Sequence, residues 1–285
     1  MAGGTTAPLG IDTTVPTTAR MYDYWLGGHD NFAVDRAAAL AVSEAAPEMK
    51  LMALENRKFL RRAVRYLAAE AGIVQFLDIG TGLPTQGNVH QVAQQFTPGA
   101  RVVYADPGAR VVYADNDPMV LAHSRALKTG GNTAVIEADL RNPASILDHP
   151  RTRALIDFSQ HLAVLLVAVL HFIGGSGDPY AIVGSIRDTL PPGSHLVISH
   201  ATGGILQGGS AGKVAEHYRK NVASGSTLRD RDEILRFFAG LELIEPGLVQ
   251  VPHWRPGEPE SPDASKVWVL GGVGRVTRPE RTQRS

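Results

Sequence analysis

Cysteine is missing from all 285 residues. Its absence excludes disulfides, a thiolate nucleophile and zinc held by thiolates, and it fits a reducing compartment, so the expected location is cytoplasmic. Excess charge is missing too. The 28 Lys+Arg balance 28 Asp+Glu, so no field of one sign draws the whole chain toward nucleic-acid backbones or anionic lipid. Neither nucleic acid nor membrane is an expected partner. No apolar run approaches the roughly 20 residues of a membrane helix. The longest, LAVLLVAVL over Leu162–Leu170, reads as a fully buried parallel strand. MAGGTTAPLGIDTTVPTTAR has neither a basic start nor an apolar signal core, and 1–15 reads as a flexible arm. The arginine-rich end, 276–285, reads as a solvated tail. No HExxH or close histidine pair occurs, so no metal site is expected.

What is present is an alternation of apolar strands with helical stretches. Met52, Phe59, Ala63, Val64 and Leu67 recur at helical spacing while five Lys and Arg residues occupy the other faces, which predicts an amphipathic helix from Met52 to Ala69, ended by Gly72. Strands are predicted at Val74–Ile79, Arg110–Ala114, Thr133–Ala138, Leu162–Leu170 and His195–Ser199. Pro118 and Pro179 suit first helical positions, opening helices over Met119–Lys128 and Tyr180–Leu190. A glycine-rich break, ATGGILQGGSAG, precedes a helix-like stretch from Lys213 to Val222. Asp230 with Glu233 forms a capping-box pattern before EILRFF. Leu241–Ile244 and Lys266–Leu270 can close the sheet as an antiparallel pair. The pattern predicts one large α/β domain with a mostly parallel sheet and helices on both faces.

Chemistry concentrates in FLDIGTGLPT. Asp78 ends the first strand, and Gly80 and Gly82 let the following turn tighten and a nucleotide approach. A dinucleotide fingerprint places a third glycine where Thr85 stands. A carboxylate two residues before the first glycine also repels phosphate and suits a cationic or hydroxyl-bearing tail. The inferred ligand is a nucleoside with a positive rather than a phosphorylated tail.

An acid at the end of the second strand takes ribose hydroxyls in such folds, and here the sequence offers two. PGARVVYAD occurs twice in succession, ending first at Asp106 and then at Asp115. Spacing from the glycine turn prefers Asp106. Context prefers Asp115, because only the second copy runs directly into the Pro118 helix, and lengthening the preceding loop costs only about 0.6 kcal/mol per doubling. Asp115 is taken as the ribose acid, with Asp106 in an inserted loop.

With these pieces in place the chain resembles S-adenosylmethionine-dependent methyltransferases, and more narrowly an S-adenosyl methyltransferase family long catalogued as a domain of unknown function. The words that carry the resemblance are IDTTVPTTARMYDYWLGGHDNF, NRKFLRRAVRYLAAEAGIVQFLDIGTGLPTQGNVHQVA, VVYADNDPMVLAHSRAL, the Ala138–Arg141 segment, LLVAVLHFI, LPPGSHLVISH and GLVQVPHWRP. The resemblance implies a class I, Rossmann-like methyltransferase fold of seven strands in the order 3-2-1-4-5-7-6, the last antiparallel. It implies an N-terminal helical cap over 16–72, a cofactor-binding domain over 73–275, and S-adenosylmethionine as cofactor. Asp78, Gly80 and Gly82 match its first motif, Asp115 its ribose acid, and Asp139 with Leu140 the position beside the adenine. The family pattern lacks the repeated nonapeptide and differs at Ser159–Leu162.

Methyl transfer needs an aligned nucleophile more than a strong base. His171 and His200 follow the fourth and fifth strands, whose carboxyl ends face the ligand crevice, and are the candidate catalytic groups. In ARMYDYWLGGHDNF, Arg20, Tyr22, Asp30 and Asn31 are the candidate substrate contacts, since aromatic faces favour a sulfonium. The bland alternatives are histidines bonded to loop carbonyls and an ordinary helix pinned to the sheet. The Asp/Asn-Pro-Pro-Tyr word of nucleic-acid amino-methyltransferases is absent after the fourth strand. The expected function is methylation of oxygen or nitrogen on a small molecule. The competing readings are a noncatalytic S-adenosylmethionine-binding module and a nicotinamide oxidoreductase resting on Gly-x-Gly alone.

Overall fold

Strand residues alternate between two apolar layers, and that alternation places the sheet. In the computed structural model, which describes residues 11–83, 88–96, 109–126, 132–203, 226–257 and 262–277, Phe76, Val111, Tyr113, Leu165, Val197 and Val273 join one buried cluster. Leu77, Val112, Val164, Leu166, Leu196 and Ile198 join the other. Successive side chains point to opposite faces of a strand, so strands buried on both faces read as near-continuous apolar runs. The central strands of this sheet read that way, broken by a few buried polar residues such as Gln75, Asp78 and Ser199.

Three helices come first: α1 (Thr18–Trp25), α2 (Ala33–Ala45) and α3 (Met49–Ala69). Then β1 (Gln75–Ile79), α4 (Val89–Phe96), β2 (Arg110–Asp115), α5 (Pro118–Ala126), β3 (Thr133–Glu137), α6 (Pro143–Leu147), α7 (Pro150–Leu155), β4 (Ala163–Val167), α8 (Pro179–Asp188) and β5 (His195–Ala201) alternate. A short α9 (Arg231–Leu235) and strands β6 (Leu241–Leu243), β7 (Val249–Gln250) and β8 (Val269–Val276) complete the described chain. The strand order is 3-2-1-4-5-8-6, with β7 paired to β8 off that path. Strands β1 to β5 run parallel, and β8 is antiparallel to β5 and β6. This is the expected class I order with one additional two-residue strand.

Local signals carry over into the structure. Pro118 and Pro179 open α5 and α8, and the Asp230 carboxylate accepts from the Glu233 amide while Glu233 accepts from the Asp230 amide. The predicted helix starts three residues earlier, at Met49. The predicted strand Leu162–Leu170 is shorter than its apolar run, because Ala168 adopts φ 56° and turns the chain into a 3-10 turn at Leu170–Phe172. That left-handed alanine costs roughly 1–2 kcal/mol and is held by its amide donating to Ser199 Oγ at 2.9 Å. The late pair forms between Leu241–Leu243 and a strand beginning at Val269 rather than Lys266. The Lys213–Val222 stretch and Asp106 lie outside the described residues. Among those described, no helix is long and apolar enough to cross a membrane.

Candidate functional site

At the carboxyl end of the parallel strands a cleft of about 510 Å³ opens between the sheet and helices α1 and α3. One half is built by the turn after β1. Asp78 is buried, and the Thr81 hydroxyl donates to its Oδ2 at 3.0 Å. Gly80 and Gly82 take φ +73° and +66°. A Cβ at Gly80 would lie 2.5 Å from Val169 Cγ2, whereas one at Gly82 would meet nothing within 4 Å among the described residues. Gly80 is therefore needed for packing and backbone, and Gly82 leaves room beside the cleft.

The end of β2 is tied to this turn. Asp115 Oδ2 accepts from the Gly82 amide at 2.9 Å, and its Oδ1 accepts from the Asp117 amide at 2.9 Å. Asp117 in turn accepts from the Met119 amide at the start of α5. Beyond β3, Asp139 is gripped by Arg141, with Nη2 to Oδ2 at 2.7 Å, and Leu140 lines the same wall. Burial, opposed by Thr81 and Arg57 and reinforced by the Asp115 charge, raises the Asp78 carboxyl to about 6. Burial also raises Asp115. The hydrogen bond from Arg141 holds Asp139 below the usual carboxylate range.

Facing this half, α3 presents Asn56 and Arg57 and α1 presents Tyr22. The Tyr22 hydroxyl donates to the Ala53 carbonyl and accepts from Asn56 Nδ2, both at 3.0 Å, while Asn56 Oδ1 accepts from Ser199 Oγ at 2.7 Å. A buried polar chain thus runs from β4 and β5 through α3 to α1. In the sequence, nothing distinguishes Arg57 from the other arginines of its helix. Only the packing of α3 across the strand ends brings it to the cleft.

The other expected substrate contacts are drawn into scaffold. Arg20 is 1% exposed and donates to Asp35 at 3.0 Å, to the Asp12 carbonyl, and to the Val15 carbonyl. Asn31 donates to Asp23 at 2.9 Å, and the Asp30 amide donates to the same carboxylate. Sequence proximity groups these residues with Tyr22, but of the four only Tyr22 lines the cleft.

The two histidines separate as well. His171 lines the cleft, and among the described residues its enclosed Nδ1 has no hydrogen-bond partner. His200 is fully buried: its Nδ1 donates to the Ala201 carbonyl at 2.7 Å and its Nε2 accepts from Arg229 Nη1 at 2.8 Å. Two occupied nitrogens make His200 a neutral support for Arg229. Burial, then the Arg229 charge, lowers His171 to about 3. Burial, then His171, lowers His200 well below its ordinary value. Among the described residues no cluster of His, Asp and Glu could hold a metal ion.

The sequence matches a family model described as S-adenosyl methyltransferase over residues 4–107 and 106–277, two segments that meet at the repeated nonapeptide. A candidate methyltransferase from Thermobifida fusca YX, seen in a crystal structure, is 45% identical, with a TM-score of 0.87 over 96% of this chain and 99% of that one. A DUF574 family protein from Streptomyces avermitilis MA-4680 is 39% identical, with a TM-score of 0.86 over 93% of this chain and 99% of its own. An O-methyltransferase family protein from Burkholderia thailandensis shares the fold at 14% identity and a TM-score of 0.51, over 90% of this chain and 64% of that one. No protein of curated function matches.

The residues present fit the family's cofactor. The carboxylates Asp78, Asp115 and Asp139 line a single cleft, together with the Cβ-free Gly82 turn and with Arg57 on helix α3. Carboxylates suit an ammonium group and ribose hydroxyls, and a guanidinium suits a carboxylate, which are the polar groups of a nucleoside bearing an amino acid. With the match spanning nearly its whole length, the chain belongs to the S-adenosyl methyltransferase family, and S-adenosylmethionine is its cofactor.

Proposed function

We propose that this methyltransferase transfers the methyl group of S-adenosylmethionine to oxygen or nitrogen of a small molecule held over the ends of β4, β5 and β8. In this reading Asp78, Gly80, Gly82, Asp115, Asp139 and Leu140 hold the cofactor. Asp78 faces its ammonium, Asp115 its ribose and Asp139 with Leu140 its adenine, while Arg57 supplies a cation for its carboxylate. The bound cofactor supplies an electrophilic methyl group. Tyr22 and His171 line the remaining space, and we assign them to acceptor positioning. His200 and Arg20 then serve as supports, and residues 16–72 act as a cap over 73–275.

The observation that carries this reading is the bond between the Gly82 amide and Asp115, which fixes acid, glycine turn and second acid as one unit beneath the cleft. Calorimetric titration with S-adenosylmethionine tests it. Saturable binding that is weakened in Asp78→Ala and Asp115→Ala supports it, and no detectable heat discards it. The noncatalytic alternative is favoured by the cleft lining, in which His171 is the one histidine among the described residues and is held weakly basic by burial and the Arg229 charge. Methylated product from any acceptor ends that alternative.

A further inference from the structure

Among the described residues, Arg229 is a buried arginine without a counter-ion. It is 4% exposed, and no described carboxylate lies within ion-pairing distance of it. Its Nη1 donates to the Leu170 carbonyl at 3.2 Å and to His200 Nε2 at 2.8 Å, and its Nη2 donates to the Ile173 carbonyl at 2.8 Å. The guanidinium also lies over the Phe237 and Tyr180 rings, at 5.5 and 5.9 Å from their centroids. All these partners are neutral. The guanidinium therefore brings a positive charge to this site.

That charge stands directly behind one end of the cleft. Leu170 and Ile173 bracket His171 and Phe172, and His171, Phe172 and Ile173 line the cleft with Ser226, Leu228 and Trp268. The Thr227 amide donates to the His171 carbonyl at 2.7 Å, so the two segments that carry this wall are bonded to each other as well as to Arg229. Among the described residues, the acids that line the cleft stand at or after the ends of β1 (Asp78), β2 (Asp115, Asp117) and β3 (Asp139), on the side of the sheet away from β5 and β8. The wall itself is aromatic and apolar apart from Ser226 and His171.

We propose that the methyl acceptor is an oxygen acid that enters already ionised, a carboxylate or an acidic phenol or enol on an aromatic, apolar body, drawn by the Arg229 charge behind this wall. The inference rests on the proposed function and deepens it by choosing oxygen over nitrogen. Transfer to such an acceptor forms one O–CH3 bond as the S–CH3 bond breaks. The electron pair of the broken bond stays on sulfur, the anionic and sulfonium charges cancel, and no proton has to leave. A site whose histidines are one sealed and one weakly basic has no need of a stronger base for this reaction. An amine enters as an ammonium near neutral pH, so it meets the Arg229 field with the wrong sign and must also lose a proton.

The test uses the full chain saturated with adenosylhomocysteine near neutral pH, titrated with three probes of one shape: naphthoate, naphthylmethanol and naphthylmethylammonium. Naphthoate is expected to bind at least about tenfold more tightly than the alcohol, and the ammonium more weakly than either. In Arg229→Gln the preference for naphthoate over the alcohol is expected to fall to about parity. Should that variant fail to fold, the ordering in the unaltered protein remains the test. Equal or tighter binding of the alcohol or the ammonium overturns the inference, as does the absence of naphthoate binding while adenosylhomocysteine still binds. If adenosylhomocysteine itself does not bind, the proposed function fails first and this inference falls with it.

Discussion

The Gly82 amide donates to Asp115 Oδ2 at 2.9 Å, so the end of β2 holds the turn after β1 in place. Asp115 anchors the turn, and in the proposed function it also faces the cofactor. Asp115→Ala removes both and is expected to weaken S-adenosylmethionine binding about 10- to 100-fold, the range for loss of hydrogen bonds to a charged group. Asp106→Ala, at the end of the other copy of the repeat, is expected to leave affinity nearly unchanged. Titration calorimetry on both variants checks the ordering, and the reverse ordering moves the ribose acid to the first copy.

Asp78 carries a pH signature. Its folded carboxyl is raised to about 6, from an ordinary value of 3.8, chiefly by burial. A raised acid binds its proton more tightly in the folded state, so its ionisation opposes folding. Its contribution to stability is greatest below about 4, declines between about 4 and 6, and is level above that. Asp115, raised in the same direction, adds to the decline. A cationic ammonium favours the ionised form of Asp78, so S-adenosylmethionine affinity is expected to fall as pH drops below about 6, with proton release on binding. Calorimetry in buffers of different ionisation enthalpy measures that release, and Asp78→Asn is expected to abolish most of it.

Much of the fold and half of the candidate cofactor site can be read from local sequence, because the determining contacts are local. Asp78, Gly80 and Gly82 sit within one turn, and the boundaries at Pro118, Pro179 and Asp230 are set by neighbours within four residues. The rest depends on contacts between distant segments. Arg57 becomes a cleft residue only because α3 crosses the strand ends. His200 reads as a strand-end residue open to ligand, but β5 runs on to Ala201 and Arg229 takes its Nε2. Arg20 reads as a ligand contact because its partner Asp35 is a helix away. Hydrophobic periodicity reports which face is buried, not which buried polar group has a partner.

Asn56 is the hinge of the chain linking Tyr22 to Ser199. Asn56→Leu leaves the Ser199 hydroxyl without its acceptor and Tyr22 without one donor. It is expected to cost about 1–3 kcal/mol of stability by urea unfolding. A double-mutant cycle with Ser199→Ala is expected to show coupling of about 0.5 kcal/mol or more, since the two side chains share one bond. Strict additivity overturns the assigned linkage.

The two glycines of the turn are expected to respond differently. Gly82→Ala is expected to meet the cost of a positive φ, about 1–2 kcal/mol, since among the described residues nothing lies within 4 Å of its added carbon. Gly80→Ala adds a clash with Val169 at 2.5 Å and is expected to lose more stability than Gly82→Ala by urea unfolding. For cofactor affinity, Gly82→Ala is expected to be at least as damaging, because its new methyl group enters the cleft rather than the core.

The repeated nonapeptide offers a test that does not depend on a single side chain. Removing either copy of PGARVVYAD yields the same chain, in which one RVVYAD runs directly into Asn116. The second copy supplies β2, which pairs through Arg110–Ala114 with β1 and through Val111–Asp115 with β3, and whose last acid anchors Gly82. All of those contacts can be made by the copy that remains. The deletion shortens only the connection between α4 and β2, which changes closure entropy by at most about 0.6 kcal/mol per halving of loop length. The shortened protein is therefore expected to fold with nearly unchanged stability and to bind S-adenosylmethionine as the full chain does. A loss of binding in a chain that still folds would mean that the first copy contributes to the cofactor site, and the assignment of Asp115 would have to be withdrawn.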